Sequence, residues 1–373
     1  AGGVYMGNIM DYLDWRGDIT FEQSPFNEVD NVILAQLAYV NFRDIIPSPE
    51  EKRSITLKEA SQMFFDMYTE NELKQDKSFI SEAPFLMKKA AASKRFGNLI
   101  LSNYVDTVDE TLEKQFGAFH IRISPKHTYV VFRGTDDTLV GWKEDFRLAF
   151  RKPLASQEMS SVYLNQVGCK LPGAFMVCGH SKGGNLAAYA ATWAETGVQR
   201  RITDIYSLDG PGFLPEVFEG DSYEQIRSRV HRILPYSSLV GMLLQNYEQY
   251  EVVKSSGIGI LQHDAFTWQI EDGKFVKAVD IEAKQKRMNE ALNQWIFTLP
   301  EEERQLFVET LFQVIDQTGV TTLTEFSEHW KENLKSCLKS LKSLDPETRK
   351  RIRRIIKILL EIYGNTLRGE KEK

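Results

Sequence analysis

Cysteine is scarce in this chain: its 373 residues hold three, Cys169, Cys178 and Cys337. An odd, sparse set makes no disulfide framework, and reduced thiols suit a cytoplasmic setting. There is no Cys-x-x-Cys pair and no His-Glu-x-x-His, so no metal site is expected. No Walker A loop occurs, and Gly257-Ile258-Gly259 lacks the third glycine of a dinucleotide fingerprint, so no cofactor is implied. No apolar run reaches the ~18 residues of a membrane span. The start lacks a basic stretch followed by an apolar one, so no signal peptide is expected. Internal repeats and low-complexity tracts are absent. A basic excess is missing too: the net charge is −6, which speaks against a nucleic-acid partner. Oligomeric state leaves no mark on the sequence.

What is present is ordinary globular material, 42% hydrophobic and 26% charged, enough for a large core. Up to about Gln115 the pattern reads as mostly helical, with helices expected over Asp30–Phe42, Thr56–Tyr68 and Pro84–Arg95. Thr56 and Glu59 make a capping box. From about Phe116, short apolar runs alternate with helical stretches. Strands are expected at Ala118–Ser124, Thr128–Arg133, Ala174–Cys178, Ile202–Leu208, His231–Leu234, Tyr250–Lys254 and Ala265–Ile270, with a hairpin turn at Glu271-Asp272-Gly273. A short helix is expected over Gly141–Phe150 and an Ala-rich one over Gly183–Thr192. Such alternation predicts an α/β fold with a mainly parallel central sheet flanked by helices. Two units are expected: residues 6–280, with a helical part at 28–115, and a helical appendage at 281–373. The appendage ends in an amphipathic helix over 346–363, with Asp345 as N-cap and Gly364 as stop. Its basic face offers a membrane surface a partner, but half-burial on its own unit is the favoured reading.

The most informative segment is Gly179-His180-Ser181-Lys182-Gly183-Gly184. It matches Gly-x-Ser-x-Gly, between an apolar strand and an Ala-rich helix. A serine on so sharp a turn needs small neighbours on both sides. The turn thrusts the hydroxyl out beside a helix N-terminus, where unpaired amides can receive an oxyanion. Ser181 is therefore the candidate nucleophile.

Upstream, Phe132-Arg133-Gly134-Thr135 ends a strand, followed by Asp136-Asp137 and Trp142-Lys143-Glu144-Asp145-Phe146. With the elbow downstream, this order resembles the class 3 lipases of the α/β-hydrolase superfamily. Met6-Gly7-Asn8, Gln115-Phe116, Leu208-Asp209-Gly210-Pro211-Gly212-Phe213 and Gln262-His263-Asp264 are more similar still to an uncharacterised bacterial lipase-like family, over residues 6–280. The resemblance implies the α/β-hydrolase fold and a small acyl ester or lipid as substrate. It also implies an oxyanion hole from the Thr135 amide, with its hydroxyl as a further donor, and the Lys182 amide. Class 3 lipases carry an apolar residue where Lys182 stands, so a charged side chain beside the pocket is expected to favour a polar or anionic substrate.

The serine needs a base on a loop at the carboxyl edge of the sheet, late in the chain. His120 and His127 precede the elbow, His180 adjoins the serine, His231 starts a strand at the wrong edge, and His329 lies in the appendage. His263 alone has the right topology, and the resemblance agrees. The acid is less plain. The family's aspartate is expected near Leu234-Pro235-Tyr236-Ser237-Ser238, where no carboxylate stands. Either Asp209, after the strand that follows the elbow, takes the role, or the acid is absent and Ser237 orients His263. Two rivals to a serine esterase stay open: a non-catalytic hydrolase-fold binding protein, and an acyltransferase or thioesterase using the same elbow.

Overall fold

The computed structural model describes residues 7–76, 78, 80–109, 114–136, 138–150, 153–218, 221–244 and 249–368. Met6 and Asp137, quoted above, lie outside them. Helices α1 (Ile9–Arg16) and α2 (Glu28–Leu37) each begin at a capping box, Asn8 with Asp11 and Asn27 with Asp30. Strand β1 (Ile55–Thr56) runs into α3 (Leu57–Met67), boxed by Thr56 and Glu59. Then come α4 (Glu70–Leu73), α5 (Ala83–Ala92) and the strands β2 (Ile100–Asp109), β3 (Lys114–Ser124) and β4 (His127–Phe132). Helices and strands then alternate: α6 (Leu139–Arg147), α7 (Ala155–Lys170), β5 (Ala174–His180), α8 (Lys182–Thr192), α9 (Thr196–Gln199), β6 (Ile202–Leu208), α10 (Asp221–Arg227), β7 (Val230–Pro235) and β8 (Tyr250–Val253). Short strands β9 (Ile270–Glu271), β10 (Lys274–Phe275) and β11 (Lys277–Ala278) precede α11 (Ala283–Thr298), α12 (Glu301–Asp316), α13 (Leu323–Glu328), α14 (Trp330–Ser343) and α15 (Pro346–Arg368).

One nine-stranded sheet, ordered β1-β2-β3-β4-β5-β6-β7-β8-β11, organises the molecule. It is mixed rather than mainly parallel. The pairings from β4 to β8 are parallel. Those joining β1, β2, β3 and β4, and that of β8 with β11, are antiparallel. Of this wing, β1 and β2 come from the zone expected to be mostly helical, while β3 lies where a strand was expected. In β2 a bulge between Ser102 and Val105 puts Asn103 in the left-handed region, at φ 55°. That extra residue breaks the two-residue period by which a strand is read.

Both faces of the central strands are covered, which is why β4 and β5 are nearly continuous apolar runs. Tyr129 and Val131 of β4 pack with α2, α3 and α5 on one face. Val130 and Phe132 pack with Leu164 of α7 and Leu186 of α8 on the other. β3 is likewise buried on both faces from Phe116 to Ile121.

The expected strand at Ala265–Ile270 is mostly a tight turn. The Asp264 side chain accepts the Phe266 amide at 3.0 Å, winding Ala265–Thr267 into a 3-10 turn. Only Ile270 and Glu271 are extended, and Asp272 (φ 51°) and Gly273 (φ 76°) close their hairpin with β10. α15 runs past Gly364 to Arg368, because that glycine keeps a helical rather than a left-handed conformation. Ile352 and Ile355 of α15 are buried with Trp295 and Ile296 of α11 and Leu148, Leu154 and Leu214 of the sheet's surroundings. Ile356 and Leu360 of the same helix are exposed. The C-terminal helices thus rest on the carboxyl side of the parallel strands, where the candidate residues meet.

Candidate active site

The turn from β5 to α8 is as sharp as its glycines imply. Ser181 sits at φ 58°, ψ −132°, a conformation that costs about 1–3 kcal/mol for a residue with a Cβ. The surroundings hold it there: its amide donates to Leu208 O at 2.9 Å and its carbonyl accepts the Gly184 amide at 2.9 Å. A Cβ on Gly179 would lie 2.1 Å from the Gly183 carbonyl carbon, and one on Gly183 would lie 2.2 Å from Phe132 O. No other residue type fits where β4, β5 and α8 converge. Ser181 is 2% exposed.

His263 closes the 3-10 turn Gly259–His263. Its Nδ1 lies 2.6 Å from Asp209 Oδ2. Asp209, fully buried at φ 48°, ends β6 with its amide on Ile233 O at 2.8 Å. Its other oxygen accepts the Ser238 hydroxyl and the Gly241 amide, the latter at 3.1 Å. In the tautomer that donates Nδ1–H to Asp209, Nε2 carries the lone pair. That Nε2 is buried and has no hydrogen-bond partner, so it is not bonded to Ser181 Oγ in this structure.

Behind the imidazole stands a second one. The His180 and His263 rings lie 4.7 Å apart between centroids. His180 Nε2 is 2.8 Å from the His263 carbonyl, which can only accept, so Nε2 carries the proton. Burial pushes the His180 pKa down to about 3 and keeps the ring neutral. Its Nδ1 therefore accepts the Tyr39 hydroxyl, at 2.7 Å. Tyr39, at the end of α2, thereby fixes the segment that bears His263.

Lys182 departs from the expectation. Its side chain is 1% exposed, with Nζ 2.7 Å from Glu144 Oε2, 3.5 Å from Asp145 Oδ1 and 3.3 Å from Gln115 O. Burial alone would lower its pKa, but Asp145 and Glu144 outweigh that and raise it. Its charge is spent within a carboxylate pair on α6, so it does not draw anionic substrates. Burial lifts the Asp145 carboxyl to about 6, against the pull of Lys182 and Thr135. The Thr135 hydroxyl donates its only proton to Asp145 Oδ2, so it is not available as an oxyanion donor; the backbone amide is left for that part. Lys182 is the first residue of α8, where amides lack intrahelical acceptors.

Ser237 does not face the imidazole. Its hydroxyl donates to Glu282 at 2.6 Å and its amide to Gln262 Oε1 at 2.8 Å. Its neighbour Ser238 serves the site instead, by holding Asp209. The structure brings Asp209 and His263 together, sets the imidazole against His180, the neighbour of Ser181 in sequence, packs Thr135 and Lys182 around Asp145, and leaves Ser237 aside. Tyr39, the supporting part of His180, Ser238 and the Glu144–Asp145 pair escaped sequence reasoning. Tyr39, Ser238 and Glu144 act across 29 to 141 residues of chain, with no local spacing to reveal them, although Asp145 bonds Thr135 across only 10.

Trp142 stands edge-on to His263, with ring centroids 6.3 Å apart. It also lines an apolar cavity of about 200 Å³ that Phe146, Val240, Trp295, Phe307 and Val308 complete. Asp145 lies on its wall as well, joining it to the Thr135–Lys182 cluster. Among the described residues no group of three or more His, Cys, Asp or Glu could hold a metal ion.

Among solved structures, M37 lipase is 17% identical to this chain, matching 58% of it and 70% of that enzyme with a TM-score of 0.34. No curated protein matches. The profile of the Mbeg1-like family matches residues 90–313, more than half of the chain and every residue of the site save Tyr39. The chain belongs to the Mbeg1-like family, a lipase-like family of the α/β-hydrolase superfamily.

Proposed function

We propose that the protein is a serine hydrolase that cleaves carboxylic esters with apolar acyl groups through an acyl-enzyme on Ser181. One observation carries this reading. His263 is anchored at Nδ1 by a buried aspartate while its Nε2 is buried without a partner, and the ring against it belongs to His180, whose chain neighbour is the strained Ser181. A buried nitrogen left unpaired is costly and calls for a functional account. A proton acceptor awaiting a hydroxyl supplies one, and such bonds often tighten only when substrate binds.

Ser181 Oγ attacks the ester carbonyl as its proton passes to His263 Nε2. Asp209 orients the imidazole and stabilises the imidazolium. The amides of Thr135 and Lys182 hold the developing oxyanion. His263 then gives the proton to the leaving alkoxide. Water, deprotonated by the same nitrogen, attacks the acyl-enzyme, and His263 returns that proton to Ser181 Oγ as the acyl–oxygen bond breaks and the carboxylic acid leaves. The cavity beside Trp142 takes the acyl chain. Its walls are almost wholly apolar, as burial of methylenes demands.

Fluorophosphonate labelling followed by peptide mapping tests this. Ser181 of the folded chain is expected to carry the adduct, and Ser181→Ala to abolish it together with hydrolysis of a p-nitrophenyl ester series. Folded protein that resists labelling and cleaves none of the series ends the proposal.

A further inference from the structure

Helix α14 is packed the wrong way round for a helix in water. Its inward sector is polar: Asn333, Cys337 and Ser340 are buried. Asn333 Nδ2 donates to Phe326 O at 3.0 Å, and Cys337 Sγ lies 3.9 Å from Val314 O of α12. Leu341 is half-buried against the cluster of α11 and α15, but three apolar residues point outward. Trp330, Leu334 and Leu338, spaced four apart, are 54%, 47% and 52% exposed. At 3.6 residues per turn they form one stripe. Lys331, Lys335, Lys339 and Lys342 are all exposed and fill the sector directly beside it, against Glu332 as the helix's single acid. Lys331 Nζ lies 5.7 Å from the Trp330 ring.

Charge follows the same division. Residues 330–368 hold eleven Lys and Arg against four Asp and Glu, a net of +7. The chain as a whole carries −6, so the rest carries −13. A second copy meeting this face two-fold would set one +7 segment against another, whereas an anionic sheet of headgroups matches the lysines, and an acyl layer matches the stripe.

We infer that α14 docks the protein on anionic lipid bilayers. The helix lies in the headgroup plane with Trp330, Leu334 and Leu338 sunk among the acyl chains and the lysines reaching phosphates. A tryptophan at one end of the stripe suits that depth, since its ring is apolar and its N–H is wet. No helix among the described residues is long and apolar enough to cross a membrane, so the contact is on the surface. α14 packs on α12, whose Phe307 and Val308 line the cavity, so docking sets that cavity near lipid. The inference does not depend on the hydrolase reading, because it uses no group of the Ser181 site.

Flotation of the full chain with vesicles tests it. The chain is expected to float with phosphatidylcholine–phosphatidylglycerol vesicles and to stay down with pure phosphatidylcholine, and 0.5 M salt is expected to release it. Ser181→Ala is expected to float as the parent does, which separates this proposal from the catalytic one. Leu334→Ser/Leu338→Ser is expected to lose at least tenfold in bound fraction. Lys335→Glu/Lys339→Glu is expected to lose more, since each basic residue near such a surface contributes about fivefold. All four positions are exposed, so circular dichroism is expected to stay unchanged. Failure of the parent chain to float, or equal flotation of the serine variant pair, overturns the proposal. So does light scattering showing a dimer that this pair dissociates.

Discussion

At the scale of single residues, the carboxyl of Asp209 and the hydroxyl of Ser237 make opposite predictions. Asp209 touches the imidazole and Ser237 does not. Asp209→Asn preserves shape but presents an amide to Nδ1, favouring the tautomer in which Nε2 is protonated. Steady-state turnover of a soluble ester is expected to fall by about 10⁴, as loss of a triad acid does. Ser237→Ala is expected to stay within about twofold of the parent. A smaller loss in the first than in the second would show that the acid is elsewhere. His180 carries a pH prediction. Its folded pKa of about 3 lies below the ordinary 6.5, so the unfolded chain binds more protons between the two. Its contribution to stability is complete above about pH 6.5 and is lost as pH falls toward 3. Near pH 4 the loss amounts to about 3 kcal/mol. His180→Gln is expected to flatten the fall in Tm between pH 6.5 and 4 relative to the parent; identical slopes would show that His180 protonates freely in the folded state. Ser181 and His263 could be singled out from sequence because each sits in a segment with its own local chemistry, a glycine elbow and a late loop. The acid could not be settled there. Choosing between Asp209 and Ser237 depends on which way the chain after β7 turns, and that follows from Gln262 holding the Ser237 amide. Lys182 was misjudged for the same kind of reason, since Glu144 lies 38 residues away in sequence.

At the scale of elements, the site depends on how closely three backbones converge. Gly183 of α8 sits against the end of β4, and a methyl group there would meet Phe132 O at 2.2 Å. Gly183→Ala therefore has to push α8 off the strand that carries Thr135. It is expected to lower unfolding free energy by several kcal/mol, at the upper end of overpacking losses of roughly 1–3 kcal/mol or beyond, as read by urea denaturation. Gly197→Ala, whose new methyl meets nothing within 4 Å, is the matched control and is expected to be near neutral. The strands β4 and β5 were legible because strands covered on both faces read as nearly unbroken apolar runs. β2 was not, because its bulge at Asn103 resets the alternation. Nor was the turn at Ala265–Thr267, whose apolar Phe266 and Trp268 alternate as a strand would. Trp268 is fully buried with its Nε1 on Gln262 O at 2.9 Å, and that bond belongs to the loop bearing His263.

At the scale of the whole molecule, the C-terminal helices contribute to the site rather than trail from it. α11 and α12 supply Trp295, Phe307 and Val308 to the cavity wall, and Trp295 Nε1 donates to Ile355 O of α15 at 2.9 Å. The boundary expected at residue 281 falls between residues that line this one cavity, and the family match runs past it to residue 313. If that cavity holds the acyl chain, filling it must act on substrates according to their length. Val308 is buried on α12, away from the Ser181 turn, and Val308→Trp would occupy much of the 200 Å³. Hydrolysis of an acetyl ester is expected to stay within about threefold, because a short acyl group never leaves the mouth. Hydrolysis of a decanoyl ester is expected to lose at least tenfold in kcat/KM, since each methylene denied burial forfeits about 0.8 kcal/mol. Equal losses on both esters would instead mean that the tryptophan disturbed α6 and its Trp142, and that the chain length of the substrate is read somewhere else.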